Sequence, residues 1–159
     1  MKAAVLTVSD GVARGEREDE SGALLEELLS GDGYEVVRRV ASDDSEEIAD
    51  AIERLTAEAP LVLTTGGTGV APRDVTPEAT ATVVERQVPG IAEALRADAA
   101  RRTPHGLLSR GVAGIRGAAL VVNLPGSPGG CRDGFSVLRE ALPHALRLLG
   151  GEQGGHRQT

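Results

Sequence analysis

Three runs of the chain are apolar almost without interruption and are short enough to be strands: Ala3-Ala4-Val5-Leu6-Thr7-Val8, Leu61-Val62-Leu63-Thr64 and Ala118-Ala119-Leu120-Val121-Val122. A strand wetted on one face alternates polar and apolar residues, so these runs predict strands buried on both faces. Between them the period changes. Leu24, Leu25, Leu28 and Leu29 recur at helical spacing, closed by Gly31 or Gly33, and Ile48, Ile52 and Leu55 form a second stripe. That second helix has a start signal in Asp44 with Glu47 three residues on, resembling a capping box, and it stops before Pro60. Tyr34 to Val40 supplies the strand between the two helices.

Thr76-Pro77-Glu78 combines an N-cap candidate, a proline at the first helical position and an acid in the first turn, which predicts a third helix. Val88-Pro89-Gly90 ends it, and Ile91 to Ala100 reads as another helix. From Thr103 to Gly117 the chain is irregular apart from a short strand around Ile115, which Gly117 turns into the next. The last helix carries Phe135, Leu138, Leu142, Leu146 and Leu149 on one side, kinked or divided by Pro143. Strands alternating with helices predict an α/β sandwich around a mostly parallel sheet, with one antiparallel hairpin near residues 112 to 123. Residues 1–150 read as one domain. Gly150 to Thr159 contains no apolar side chain, so residues 151–159 read as a disordered tail.

Composition then narrows the chemistry. With one Tyr and one Phe in 159 residues, aromatic stacking on a ligand is almost unavailable. Seventeen basic against 24 acidic residues give a net charge of −7, the wrong sign for gripping a nucleic-acid backbone, so any nucleotide is a small molecule. The one lysine is Lys2, far from any loop, which leaves backbone amides, hydroxyls and arginines to hold phosphate. Cys131 stands alone, excluding an intramolecular disulfide or a zinc site of paired cysteines, and fits a reducing, cytoplasmic setting. No apolar run is long enough for a signal region or a membrane span.

In open α/β sheets, ligands bind outside the carboxyl ends of the strands. Here those ends are polar: Ser9-Asp10-Gly11, Ser42-Asp43-Asp44, Thr65-Gly66-Gly67-Thr68-Gly69 and Asn123-Leu124-Pro125-Gly126-Ser127. The third is the strongest signal. Its glycines allow successive N–H groups to face an anion, and Thr65 and Thr68 offer hydroxyls. It is neither a P-loop nor a dinucleotide fingerprint. A tight turn that uses glycine for geometry alone explains the same residues, but Arg73 and Asp74 beside it favour binding. Asp43 and Asp74 taken singly read as helix caps or exposed acids. Sharing one sheet edge, they form a pair able to hold Mg²⁺ against a transferring nucleotidyl group and its leaving pyrophosphate. The Asn123 amide presents both donor and acceptor and suits a purine or pterin edge, or else caps a proline-fixed turn. Ser109-Arg110 is a weaker pair, since an exposed arginine usually serves solubility. His105, His144 and His156 lack metal spacing, and Cys131 reads as a small buried hydrophobe.

These pieces together resemble the MogA/MoaB family of molybdenum-cofactor proteins, which includes the G domains of plant and animal fusion proteins. The resemblance runs from about Lys2 to Gly150 and is carried by Thr7-Val8-Ser9-Asp10, Asp19-Glu20-Ser21-Gly22, Thr64 through Ala79 (TTGGTGVAPRDVTPEA), Pro89-Gly90, Leu108-Ser109-Arg110 and Asn123-Leu124-Pro125-Gly126. It implies a three-layer α/β/α fold, commonly a homotrimer, that binds molybdopterin. In catalytic members it makes adenylyl-molybdopterin from Mg·ATP with release of pyrophosphate, for a downstream molybdenum-insertion protein. Asp43 and Asp74 match the family's two essential aspartates. The loop from Gly66 to Asp74 would hold nucleotide phosphates, and Asn123 to Ser127 with Ser109 would help bind adenylate or pterin. The chain departs from some members in lacking a longer insertion after Ser127.

Three other readings compete with this one. A non-catalytic carrier predicts pterin binding with no pyrophosphate formed. A relative of the domain in competence-damage proteins and molybdenum-insertion enzymes would bring further domains, for which 159 residues leave no room. A flavodoxin-like redox protein would need aromatic rings against its flavin.

Overall fold

In the computed structural model, which describes residues 1–152, the three apolar runs form the middle of a six-stranded sheet. They are β1 (Lys2–Val8), β3 (Leu61–Thr65) and β6 (Ala119–Leu124); β2 (Glu35–Ala41), β4 (Arg86–Gln87) and β5 (Ala113–Arg116) complete the order β2-β1-β3-β6-β5-β4. The first four in that order are parallel, and β5 pairs antiparallel with both β6 and β4. The expected hairpin is therefore present, in register from Ala113↔Val122 to Arg116↔Ala119.

Alternation along the buried strands divides the core into two layers. Ala3, Val5, Leu61, Leu63, Leu120, Val122 and Leu124 pack with α2 (Glu20–Gly31), α6 (Pro128–Leu138) and α7 (Leu142–Leu149), where Phe135 is 1% exposed; α5 (Pro89–Arg102) leans on the same face through Ile91 and Leu95. Ala4, Leu6, Val8, Val62 and Val121 pack on the opposite face with Ile48, Ile52 and Leu55 of α3 (Ser45–Glu58) and Ala79 and Val83 of α4 (Thr76–Val83). Each buried Leu or Ile contributes about 1.5–3 kcal/mol relative to exposure, and this two-sided burial makes a three-layer α/β/α sandwich. Among the described residues, no helix is long and apolar enough to cross a membrane.

Several boundaries differ from the sequence reading, each for a local reason. Asp44 caps α3, accepting from Glu47 N at 2.9 Å, but the Glu47 carboxylate reaches back to Ser42 N at 3.1 Å rather than to the cap residue. Thr76 is not the N-cap of α4; Val75 is, and the Thr76 hydroxyl donates instead to Gly66 O at 2.9 Å. Val88-Pro89-Gly90 does not end that helix. The chain leaves it after Val83, pairs Arg86 and Gln87 with β5, and uses Pro89 to open α5. The last helix is divided: α6 stops at Leu138 and α7 starts at Leu142, with Pro143 in its first turn. Gly151 and Glu152 close α7 by donating to Leu148 O and Arg147 O, both at 3.1 Å. The rest of the expected tail lies outside the described residues. Two short pieces had no expectation, α1 (Asp10–Ala13) and a 3₁₀ turn at Pro104–Leu108.

Candidate active site

From β1 the chain moves out to β2 on one side, then returns across to β3 on the other, with α2 and α3 on opposite faces. Loops leaving β1 and β3 thus diverge at a switch point, where such sheets bind ligands. A cavity of about 400 Å³ opens there, and Ser9, Asp43, Thr65, Gly66, Gly67, Asp74, Gly126 and Ser127 are among its lining residues. Both aspartates expected to act as a pair face this one space.

Its floor is shaped by two glycines with left-handed backbone. Gly66 (φ 100°) lies so close to β1 that a Cβ would sit 2.3 Å from Val8 O, and a Cβ on Gly67 (φ 69°) would sit 2.3 Å from Thr76 Oγ1. No other residue type fits either position without shifting backbone or Thr76. Among the described residues, the N–H groups of Gly67, Thr68 and Gly69 donate to no protein acceptor, but only Gly67 lines the cavity; Thr68 is buried, and neither it nor Gly69, both expected in the site, is among the lining residues. Thr65 is less available than its position implied, because its hydroxyl donates to Pro125 O at 2.7 Å and so ties the two glycine loops together. Gly66 N reinforces that tie by donating to Leu124 O at 3.2 Å.

Asp43 and Asp10 hold each other reciprocally. Asp10 N donates to Asp43 Oδ2 and Asp43 N donates to Asp10 Oδ1, both at 3.0 Å. Arg73 adds a bidentate grip on Asp10, Nε to Oδ2 at 2.6 Å and Nη2 to Oδ1 at 3.0 Å. This corrects two expectations: Asp10 and Arg73 are absent from the cavity lining and act on each other. Arg73 holds the Asp10 carboxyl down at about 2. Burial pushes Asp43 up, and the charges of Asp10 and Asp74 add to it, partly offset by the bond from Asp10 N and by Arg73. Asp74 Oδ2 accepts from Ala71 N at 3.1 Å, so each of Asp43 and Asp74 keeps one oxygen, Oδ1, with no protein donor among the described residues.

The donor set suits a cation that arrives with its other ligands. Among the described residues, no three His, Cys, Asp or Glu side chains form a metal cage. Mg²⁺ typically takes one or two carboxylates and completes its shell with water and substrate phosphate.

Two parts of this region were noted in the sequence but given no role there. Arg110, read as a surface residue, clamps the glycine loop: its N–H donates to Thr68 O at 2.8 Å, Nε to Gly69 O at 2.8 Å and Nη2 to Asp74 O at 2.7 Å, with Glu78 anchoring Nη1. The segment before α2 also forms a wall of the cavity, from Arg17 to Ser21. Asp19 fixes it by capping α2 through Gly22 N at 3.0 Å, accepting from Thr7 Oγ1 at 2.8 Å and pairing with Arg38 at 2.8 Å. An Asp ahead of a helical stripe was the available signal.

Ser109, Asn123 and Pro125 line a second cavity of about 300 Å³, which shares Ser127 with the first. The Asn123 amide is engaged inside the protein. Its Nδ2 donates to Thr64 Oγ1 at 2.9 Å and Thr80 Oγ1 at 3.0 Å, and its Oδ1 accepts from Val112 N at 3.1 Å. With both N–H groups taken, it has no donor for a purine or pterin edge. Ser9 and Ser127 cap α1 and α6, accepting from Val12 N at 3.2 Å and Gly130 N at 3.1 Å. Thr68 and Gly69 contribute backbone only to the contacts described. Cys131 is fully buried and burial pushes its thiol up to about 11, leaving no thiolate nucleophile.

A switch-point cavity lined by a glycine turn and two facing carboxylates places the chain among open α/β proteins whose ligand site lies at the carboxyl ends of the strands. More particularly, the chain belongs to the family described as "Probable molybdopterin binding domain", which matches residues 4–144. It is 37% identical to the molybdopterin adenylyltransferase of Helicobacter pylori over 92% of this chain and 86% of that protein. It is 36% identical over 98% of its length to the molybdenum cofactor synthesis protein cinnamon of Drosophila melanogaster, of which it spans only 26%. Among solved structures, the molybdopterin biosynthesis enzyme MoaB of Thermus thermophilus superposes with a TM-score of 0.87 and 46% identity, covering 95% of this chain and 97% of that one.

Proposed function

We propose that this chain adenylylates molybdopterin, using ATP with Mg²⁺. The observation that carries this reading is that Asp43 and Asp74 line one cavity with the Gly66–Gly67 turn, each with an oxygen unclaimed by the protein. In the reaction, an oxygen of the terminal phosphate of molybdopterin attacks the α-phosphorus of ATP. The bond from that phosphorus to the bridging oxygen breaks, and pyrophosphate leaves. Nothing in this exchange needs a covalent nucleophile, which suits a chain whose one thiol is buried, neutral and outside both cavities.

The work left to the chain is alignment and charge. The unused amide of Gly67 holds a phosphate oxygen, and the short helix α1 and the cap of α6 border the same space through Ser9 and Ser127. Asp43 and Asp74 would hold Mg²⁺, which supplies positive charge to the transferring group and the departing pyrophosphate. Asp10 and Arg73 keep the Asp43 carboxylate turned so that Oδ2 is occupied and Oδ1 is not. The second cavity, with Ser109, Pro125 and Ser127, takes the adenylate or pterin portion. We further propose that the chain works in the cytoplasm as a homotrimer and passes its product to a downstream molybdenum-insertion protein.

Incubation of purified protein with molybdopterin, ATP and Mg²⁺ tests the reading. Pyrophosphate and adenylyl-molybdopterin are expected in equal amounts. Bound pterin without pyrophosphate would make the chain a carrier instead.

A further inference from the structure

Resting on the adenylyl-transfer reading, we infer that Arg17 grips a substrate phosphate in this cavity, with Gly11 as the bare track that guides it there. A space that takes a triphosphate needs positive charge, yet its walls carry Glu18, Asp19, Glu20, Asp43 and Asp74 against one basic residue, Arg17. The arginines near it are already committed. Arg73 is bound to Asp10, Arg38 to Asp19 and Glu26, and Arg110 to the glycine loop. Arg14 pairs with Asp10 and Glu16. Among the described residues, Arg17 makes neither an ion pair nor a side-chain hydrogen bond, and it alone of these arginines lines the cavity.

Its path is set by what Gly11 lacks. A Cβ at Gly11 would sit 2.7 Å from Arg17 Cδ, 3.1 Å from Cγ and 3.6 Å from Cβ, so the arginine stem lies in the space that any other residue would fill. The backbone below is fixed: Glu16 N and Arg17 N both donate to Gly11 O, at 2.9 and 3.3 Å. A side chain held by its stem, with a planar guanidinium still uncommitted, is suited to bidentate phosphate contact. The phosphate is either that of ATP or that of the pterin.

Calorimetric titration with Mg·ATP and, separately, with molybdopterin distinguishes the two. Arg17→Met keeps most of the stem and removes the charge; it is expected to weaken one of these ligands by about 10- to 100-fold, the size of a charge-assisted contact, with an unchanged melting temperature. Gly11→Ala, which leaves Arg17 in the chain but blocks its path, is expected to weaken the same ligand in part. Unaltered affinity for both ligands in Arg17→Met would overturn the assignment. Pyrophosphate release by the unaltered chain tests the underlying reading separately: if none is released while Arg17→Met still loses affinity, the catalytic reading fails and the phosphate grip stands.

Discussion

Asp10 and Asp43 share two hydrogen bonds yet titrate in opposite directions, because one has an arginine and the other has burial and two acidic neighbours. Asp10, lowered from 3.8 to about 2, stabilises the fold at neutral pH, and that contribution is lost as pH falls from its ordinary value toward about 2. Asp43 has the reverse sign: its raised value means the ionised form destabilises the ligand-free protein, and the cost is relieved as pH falls through that value. A carboxyl-detected NMR titration should therefore find Asp43 above the ordinary aspartate range, and find it drop when Mg·ATP is added. Asp43→Asn should raise the melting temperature of the ligand-free chain slightly while suppressing transfer. Asp74→Asn should lower turnover by about 100-fold or more, as loss of a metal ligand does, while leaving pterin affinity nearly unchanged. Equal turnover in that variant would retire the metal role. Both acids were legible in the sequence because each lies in the loop that leaves the carboxyl end of a strand, Asp43 after β2 and Asp74 in the glycine loop after β3. The internal engagement of Asn123 and Arg73 was not, because their partners Thr80 and Asp10 lie 43 and 63 positions away.

At the scale of elements, the site depends on loops pinned at few points. Gly66→Ala and Gly67→Ala each force a left-handed residue against a close neighbour and should destabilise by about 1–3 kcal/mol, read as a lower denaturation midpoint. Arg110→Lys should leave global stability nearly intact but speed amide exchange across residues 68–76, since an ammonium cannot bridge Gly69 O and Asp74 O as the planar guanidinium does. Unchanged exchange there would mean the loop holds itself. The long apolar strands and the stripes of α2 and α3 declared themselves by periodicity. The two-residue β4 had no such signal: it exists because Glu85 N and Val88 N find Ile115 O and Ala113 O, at 2.8 and 2.9 Å. Thr76 likewise looked like a cap by spacing, but it is the first residue inside α4, and its hydroxyl donates to Gly66 O.

The chain is acidic overall, and among the described residues its candidate site lies at one sheet margin. Val70, Leu107 and Leu108 are 64%, 72% and 48% exposed, and the proposed homotrimer is expected to bury some of this apolar surface. Sedimentation equilibrium at micromolar concentration should give three times the chain mass if the homotrimer forms, and Val70→Asp or Leu107→Asp should shift it toward monomer. The central claim is that Asp43 and Asp74 hold one cation together beside the glycine turn. It is tested most directly by anomalous diffraction from crystals grown with Mn²⁺ and ATP. A single Mn²⁺ peak within about 2.5 Å of an oxygen of both carboxylates is predicted. Ordered nucleotide with its Mn²⁺ bound away from either aspartate would contradict it.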